Sequence, residues 1–409
     1  MYSVFKNIFN LGIFQATGML LQLLVIPLIT RNYGLSIFGE IAFSTSIGLF
    51  LSNLVNYGSN QTDVKDVSIY RNNTNKLSSI VSDLFFLRMI VFSAIFLMTT
   101  GVIITTKYNY LGLWFSVLPM IACEIFNPMY FLVGIEKIQW ITYGNIIARA
   151  FSLGLIVFIH LTRDISVYLN LMLSFPLLIY YGSLFFYLIR KFNLTISLIN
   201  INDLKKKLKD NFYVTFNGSS VILQQSIFMF AISGTVSPST IGAYGIIDKL
   251  LGAFRQLVSA FSTAIYPKAA RLFHDGKSIW VIFRNKVQVG YTFFFLFTGL
   301  FLFVFADFAS IIFAHKEDPN TILFFRFLSF APLVLALNAN NVLQLLLEMQ
   351  YKKMFHISLV IIFSTIVISY LLTRYFNETF IGLYPLIIES VCLIIYTLFI
   401  RFKNRKSLV

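Results

Sequence analysis

The stretch GAYGIIDKLLGAFRQLVSAFSTAIYPK, residues 242–268, decides how the chain is to be read. It is long and apolar enough to cross a hydrocarbon core of about 30 Å, yet Asp248, Lys249 and Arg255 lie well inside its ends. On a helix turning about 100° per residue, Asp248 and Arg255 share a stripe, and Lys249 falls on the neighbouring one with Gln256. An ionisable residue inside a span costs about 2.5–3.5 kcal/mol on insertion scales and faces either a water-filled cavity or a partner. The polar sector of this segment is therefore expected to face water.

The flanking sequence repeats the apolar pattern without most of the charge. Hydrophobic residues make up 57% of the 409 and charged ones only 12%, with a mean hydropathy of +0.78. That balance excludes an ordinary soluble domain and defines an all-α polytopic membrane protein. A window of about 19 residues finds about twelve spans. They fall near residues 8–30, 37–57, 87–105, 110–133, 139–161, 167–189, 212–234, 241–266, 287–314, 322–347, 355–373 and 380–400. The first run has one lysine, Lys6, before it and no small-residue cleavage site after it, so it reads as a span and not as a removable signal.

Orientation follows from the basic residues. With the N-terminus in the cytoplasm, 23 of the 32 Lys and Arg fall in cytoplasmic loops and tails, among them Lys65, Arg71, Lys76, Arg88, Lys137, Arg190 and Lys191. Five face the other side (Arg31, Lys107, Arg163, Lys316 and Arg374), and four lie within spans. This is the positive-inside asymmetry, and it places both termini in the cytoplasm. The net charge of +15 is then loop charge facing anionic headgroups of the lipid bilayer, which removes nucleic acid from the list of partners.

Two halves are visible, 1–200 and 201–409, with six spans on each side of the polar stretch 191–211 and its KKKLK. The halves echo one another: SIFG ending at Gly39 matches STIG ending at Gly242, and Gln15 and Gln22 match Asn217 and Gln224. Because each half has an even number of spans, the copies share one orientation, as in transporters built from parallel repeats. The midline between them is the expected pathway.

The intramembrane ionisable residues are Glu124, Arg149, Asp248, Lys249, Arg255, Asp307, Arg326 and Glu389. Two readings compete for them: lining of a substrate cavity, or ion pairs that lock spans together. Glu124 with Arg149 suits either, and Asp307 with Arg326 suits a structural pair. Lys249 and Arg255, with Asp248 alone nearby in sequence, suit a cavity. Gln15, Gln22, Asn217, Gln224, Gln225, Asn338, Asn341 and Gln344 add uncharged hydrogen-bonding groups, either as helix-to-helix contacts or as sugar ligands. Cys123 and Cys392 lie far apart in spans, no histidine pair has metal spacing, and no phosphate-binding glycine loop occurs. Neither a metal centre, nor a cofactor, nor an ATPase is expected.

Three segments resemble the Wzx-type O-antigen flippases of the multidrug/oligosaccharidyl-lipid/polysaccharide superfamily. PLITRNYGLSIFGEIAFSTSIGLF (27–50) is similar to their first hairpin, NPMYFLVGIEKIQWITYGNIIAR (127–149) to the segment between spans four and five, and the opening stretch to their eighth span. The resemblance implies a MATE-like fold, with two six-helix bundles forming a V around a central cavity. It also implies transfer of an undecaprenyl-diphosphate-linked oligosaccharide from the cytoplasmic to the periplasmic leaflet of a bacterial inner membrane, without catalysis. Lys249, Arg255 and Arg149 would bind the diphosphate, with Asp248 beside them; Gln22, Gln224 and Asn341 would line the glycan path. Glu124 and Glu389 are candidates for carrying a coupling proton or sodium ion. A polysaccharide polymerase and a chain-length regulator would be partners. The rival classes are a MATE-type drug or cation antiporter, which would want an acidic cavity, and a polymerase or ligase, which would want a sizeable periplasmic loop.

Overall fold

The computed structural model describes the backbone of residues 2–106, 111–197 and 201–406. Side chains of residues 2–17, 60–61, 106, 201–203, 206, 210, 213–214, 216–219, 263–264, 267, 277–278, 351 and 401–406 lie outside the description. The described chain is helical. The helices are α1 (Tyr2–Asn56), α2 (Ser59–Ile69), α3 (Thr74–Thr106), α4 (Leu111–Phe126), α5 (Met129–Gly134), α6 (Gln139–Phe158), α7 (Ile165–Lys191) and α8 (Ile201–Ser233). There follow α9 (Pro238–Asp275), α10 (Lys277–Val304), α11 (Ala306–Ala314), α12 (Pro319–Leu328), α13 (Ala331–Leu347), α14 (Tyr351–Tyr375), a 3-10 turn (Glu378–Leu383) and α15 (Tyr384–Lys406).

Among the described residues nine helical segments are long and apolar enough to cross a membrane, so the protein is multi-pass. The 39-residue segment Gly18–Asn56 covers the first two of the expected spans. Ten of the twelve are thereby accounted for; the remaining two coincide with α8, where Ser220–Ser233 forms a shorter apolar segment, and with α9, which carries Asp248, Lys249 and Arg255. Several boundaries differ from the sequence expectation for identifiable backbone reasons. Residues 31–36 do not form a loop, because the whole change of direction is concentrated at Gly34, with φ 86° and ψ 168° inside an otherwise helical run. The fourth span breaks into α4 and α5 at Asn127 and Pro128, and the tenth into α12 and α13 just before Pro332, where proline has no N–H to continue the ladder. Part of the basic loop after the second span, containing Lys65, is the short helix α2.

The conformation at Gly34 belongs to a region that essentially only glycine occupies, and a Cβ added there would meet nothing within 4 Å. Gly34→Ala therefore tests pure backbone strain. It is expected to cost about 1–3 kcal/mol, read as a lowered thermal unfolding midpoint in detergent.

Contacts divide the chain into two units, residues 1–25 with 41–226 and residues 26–40 with 227–409. In the first, Leu84, Leu87, Ile121, Leu132 and Ile141 are fully buried, and Phe85 stacks on Phe185 at 5.3 Å. In the second, Phe228 stacks on Tyr384 at 3.7 Å and meets Tyr244 edge-on at 4.8 Å. Lipid tails are as apolar as these side chains, so close van der Waals packing, not water exclusion, holds such helices together. The outward faces carry the opposite signature: α10 exposes Phe293, Phe297, Phe301 and Val304, one stripe of apolar groups with no protein over it.

Within the second unit α1 and α9 cross at two glycines. A Cβ on Gly39 would sit 2.0 Å from the Pro238 carbonyl oxygen, and one on Gly242 would sit 2.2 Å from the Leu35 carbonyl oxygen. These are the residues that the SIFG and STIG segments match across the two halves.

Candidate functional site

In the first unit the expected cation is Arg149, half-buried on α6. Its Nη1 donates to the carbonyl oxygen of Gly18 on α1 at 3.0 Å. Gln22, half-buried, stands one turn further along the same helix face. Among the described residues Arg149 has no ion pair with a carboxylate. On the inner stripe of α6, Asn145 donates to the Tyr181 hydroxyl at 2.9 Å and Ser152 is buried.

The pairing of Glu124 with Arg149 does not form. Glu124 Oε2 instead accepts from Asn56 Nδ2 at 2.8 Å and from Asn127 Nδ2 at 3.0 Å. Amide donors satisfy the carboxylate locally, which leaves Arg149 to the α1 backbone. The same network holds a residue that charge counting misplaces. Arg88, expected in a basic loop, is 1% exposed on α3, where it donates to the Asn127 carbonyl oxygen at 2.8 Å and to Ser59 Oγ at 2.6 Å, with its guanidinium 5.2 Å from the Tyr130 ring. Ser59 in turn donates to Asn56 Oδ1 at 3.2 Å, joining α1, α2, α3 and the α4–α5 junction around Glu124. Nearby Asp63, 1% exposed, pairs with Lys207 of α8 at 2.9 Å. Gln224 is buried on α8, two residues before Ser226, whose hydroxyl donates to the Ser46 carbonyl oxygen at 3.1 Å. The side chains of Gln15 and Asn217 lie outside the described residues.

In the second unit the three charges of the opening stretch separate. Arg255 donates from Nε (2.9 Å) and Nη2 (2.6 Å) to Oε1 of Glu389 on α15, with side chains 15% and 5% exposed. Asp248 is buried on the same helix, and Lys249 is half-buried. The expectation that the whole sector faces water is thus corrected: Asp248 and Arg255 turn into the unit because Glu389 supplies a counter-charge that the local sequence does not reveal. Asp307 pairs with Arg326 at 3.3 Å, exposed on both sides, as their positions predict.

The amides of α13 form a cluster with α10 and α15. Asn341 donates to Thr397 Oγ1 at 3.1 Å, Asn340 to Gln288 Oε1 at 2.8 Å, and Arg284 to Gln344 Oε1 at 2.6 Å. Asn341, Gln288 and Thr397 line a cavity of about 470 Å³. Asn338 is buried nearby on the same helix. Arg284, Gln288 and Thr397 were not legible as members: Arg284 and Gln288 read as part of a basic loop end and the following span, and Thr397 stands alone among apolar residues.

The fold is shared with solved transporters of the MOP superfamily. It is similar to a multidrug resistance MATE family transporter solved in an inward-facing conformation, with 11% identity, 94% of this chain and 98% of that one covered, and a TM-score of 0.72. It is also similar to a MOP superfamily transporter from Pyrococcus furiosus described as having a binding pocket of reverse polarity, with 15% identity, coverage of 97% and 95%, and a TM-score of 0.56. The particular family is narrower. Residues 4–273 match the family described as "Polysaccharide biosynthesis protein", and the chain belongs to it. A relative of Escherichia coli (strain K12), named "Putative O-antigen transporter", is 24% identical over 424 aligned positions covering 100% of this chain and 98% of that protein.

Proposed function

We propose that the protein moves a polyprenyl-diphosphate-linked oligosaccharide from the cytoplasmic to the periplasmic leaflet of a bacterial inner membrane, its halves 1–200 and 201–409 alternating access to the two sides. Membership of the polysaccharide biosynthesis family and the name of the E. coli relative support the substrate class. The charge asymmetry of the loops supports cytoplasmic termini. The observation that carries the reading is Arg149: a guanidinium within a span, bonded to a backbone carbonyl and without a carboxylate partner among the described residues. A cation left uncompensated in that setting attracts an anionic group, and a diphosphate accepts several charge-assisted hydrogen bonds at once. Lys249, half-buried within the second unit, remains a further candidate for an anionic group, while Arg255 is already neutralised by Glu389. Gln22, Gln224 and Asn341 would meet glycan hydroxyls. Glu124, which accepts from the neutral amides of Asn56 and Asn127, is the better placed of the two carboxylates to take up a coupling proton or sodium ion. A drug or cation exporter shares this fold, but an uncompensated Arg149 disfavours a cationic cargo. A polymerase and a chain-length regulator would act on the unit after it crosses.

Arg149→Gln should lower surface polysaccharide by about 10- to 100-fold, the equivalent of about 1.5–3 kcal/mol for a bond to a charged group. Lipid-linked single units should accumulate while membrane protein levels stay near normal, and Arg149→Lys should retain part of the activity. Full surface polysaccharide in Arg149→Gln, in a strain with no other such transporter, would remove diphosphate binding from this residue.

A further inference from the structure

The outer face of α6 and α7, away from Arg149, carries a second feature. A groove of about 650 Å³ runs between the two helices, lined almost wholly by apolar side chains such as Ile147, Phe151, Leu155, Phe175 and Ile179. From Gly144 to Leu155 it extends about 16 Å at about 1.5 Å per residue, roughly one leaflet of a core of about 30 Å. Ile147, Phe151, Phe175 and Ile179 are each at least half exposed, so the groove opens outward.

Its end nearest Lys191 is of different chemistry. Following the groove stripe of α6 back by four residues from Gly144 leads to Trp140; following that of α7 forward from Ser183 leads to Tyr187 and then Lys191. There the Lys191 ammonium lies 4.2 Å from the Trp140 ring and 5.3 Å from that of Tyr187, and it donates to the Tyr187 hydroxyl at 3.1 Å. Lys137 approaches the same Trp140 ring at 5.7 Å and Phe192 at 5.8 Å. Trp140 and Tyr187 are themselves in contact, ring centroids 5.7 Å apart. The Tyr180 hydroxyl ties the groove to this cluster by donating to the Trp140 carbonyl oxygen. Among the described residues neither ammonium has a carboxylate partner. Aromatic rings with tethered cations at the end of an apolar groove form a receptor for an amphiphile with an anionic head: the rings sit at the headgroup level, and the groove receives the chain.

We infer that this groove and its Lys137–Lys191 mouth are the docking site at which the lipid-linked unit is taken from the cytoplasmic leaflet, with the diphosphate at the two ammoniums and the first isoprenoid units between α6 and α7. The inference rests on the proposed function. Two uncompensated cations converging on one indole match the charge of a diphosphate, where a phospholipid's phosphodiester brings a single charge. The polyprenyl chain stays in lipid along the outer face, while Arg149 lies about 14 Å along the same helix from Trp140, on its opposite face.

The test uses the full-length protein in phosphatidylcholine nanodiscs with a polyprenyl diphosphate carrying a diazirine in its first isoprenoid units. Adducts should map to Ile147, Phe151, Phe175 and Ile179. The double variant Lys137→Gln, Lys191→Gln should lose them by about thirtyfold while remaining monodisperse, and Lys191→Arg should keep them. Ile147→Trp, which fills an exposed part of the groove, should reduce them with both lysines present. Unlabelled polyprenyl diphosphate should compete and phosphatidylglycerol at the same concentration should not. Adducts spread evenly over the lipid-facing helices, labelling indifferent to the lysines, or equal competition by phosphatidylglycerol would each overturn the inference. Labelling is independent of turnover, so groove adducts in a protein that moves no lipid-linked unit would overturn the proposed function alone. Transport with diffuse labelling would overturn the docking site alone.

Discussion

Arg255→Gln and Glu389→Gln are each expected to reduce the folded protein recovered from membranes severalfold and to lower its thermal midpoint. Removing both charges together should restore much of the loss. Glu389 is buried and Arg255 is largely so, and they meet at 2.6 Å, so taking away one leaves the other as an uncompensated charge inside the unit. That penalty is about 3–5 kcal/mol, whereas replacing the pair by well-packed apolar residues is often neutral. Arg255→Met with Glu389→Leu is accordingly the rescue variant, and fluorescence-detected size exclusion is the measurement. Asp248→Asn should not rescue Arg255→Gln, because the bonding partner is Glu389. If either single variant is as stable as the parent, the pair contributes nothing. If the stable double variant also transports, Arg255 is scaffold; if it folds and does not transport, the guanidinium exchanges partners with the substrate during the cycle.

The crossing of α1 and α9 supports a second large effect. Gly39→Ala and Gly242→Ala each put a methyl carbon against backbone atoms, at 2.0 Å and 2.2 Å from carbonyl oxygens that have no rotamer to yield. The helices must separate, and the packing that small residues permit is lost along the whole contact. Overpacking of a rigid interior costs about 1–3 kcal/mol and more where the backbone must move, so each variant should leave little folded protein. Gly290→Ala is the control. Nothing lies within 4 Å of a Cβ there, and alanine is the better helix former by about 1 kcal/mol. Equal recovery of Gly39→Ala and Gly290→Ala would refute the close crossing.

The intervals of apolar residues and the distribution of lysine and arginine state the class of protein without any structure. Twenty apolar residues have one economical use, and a span cannot be satisfied except by helix when its neighbours are helices. The matched glycines at 39 and 242 stand out as a sequence likeness between the halves, although not as two backbones in contact, since likeness carries no information on proximity. What the tertiary structure alone decided are the partners of the charges. Glu389 lies 134 positions from Arg255, and no local periodicity links them. Arg149 bonds to the carbonyl of Gly18, a group every residue carries, so no side-chain type marks it. Arg88 reads as a loop cation because hydropathy averages over a window, and one buried guanidinium held by Ser59 and the Asn127 carbonyl does not change the average. A local signal did exist for the Trp140–Lys191 mouth, in aromatic residues beside lysines at the ends of two successive spans. That the two ends meet around one ring, and continue into one groove, depends on how α6 packs against α7. Helix existence is a property of consecutive residues, which a sequence records directly. The compensation or exposure of a charge is a property of whatever lies across the helix interface, which only the folded chain brings there.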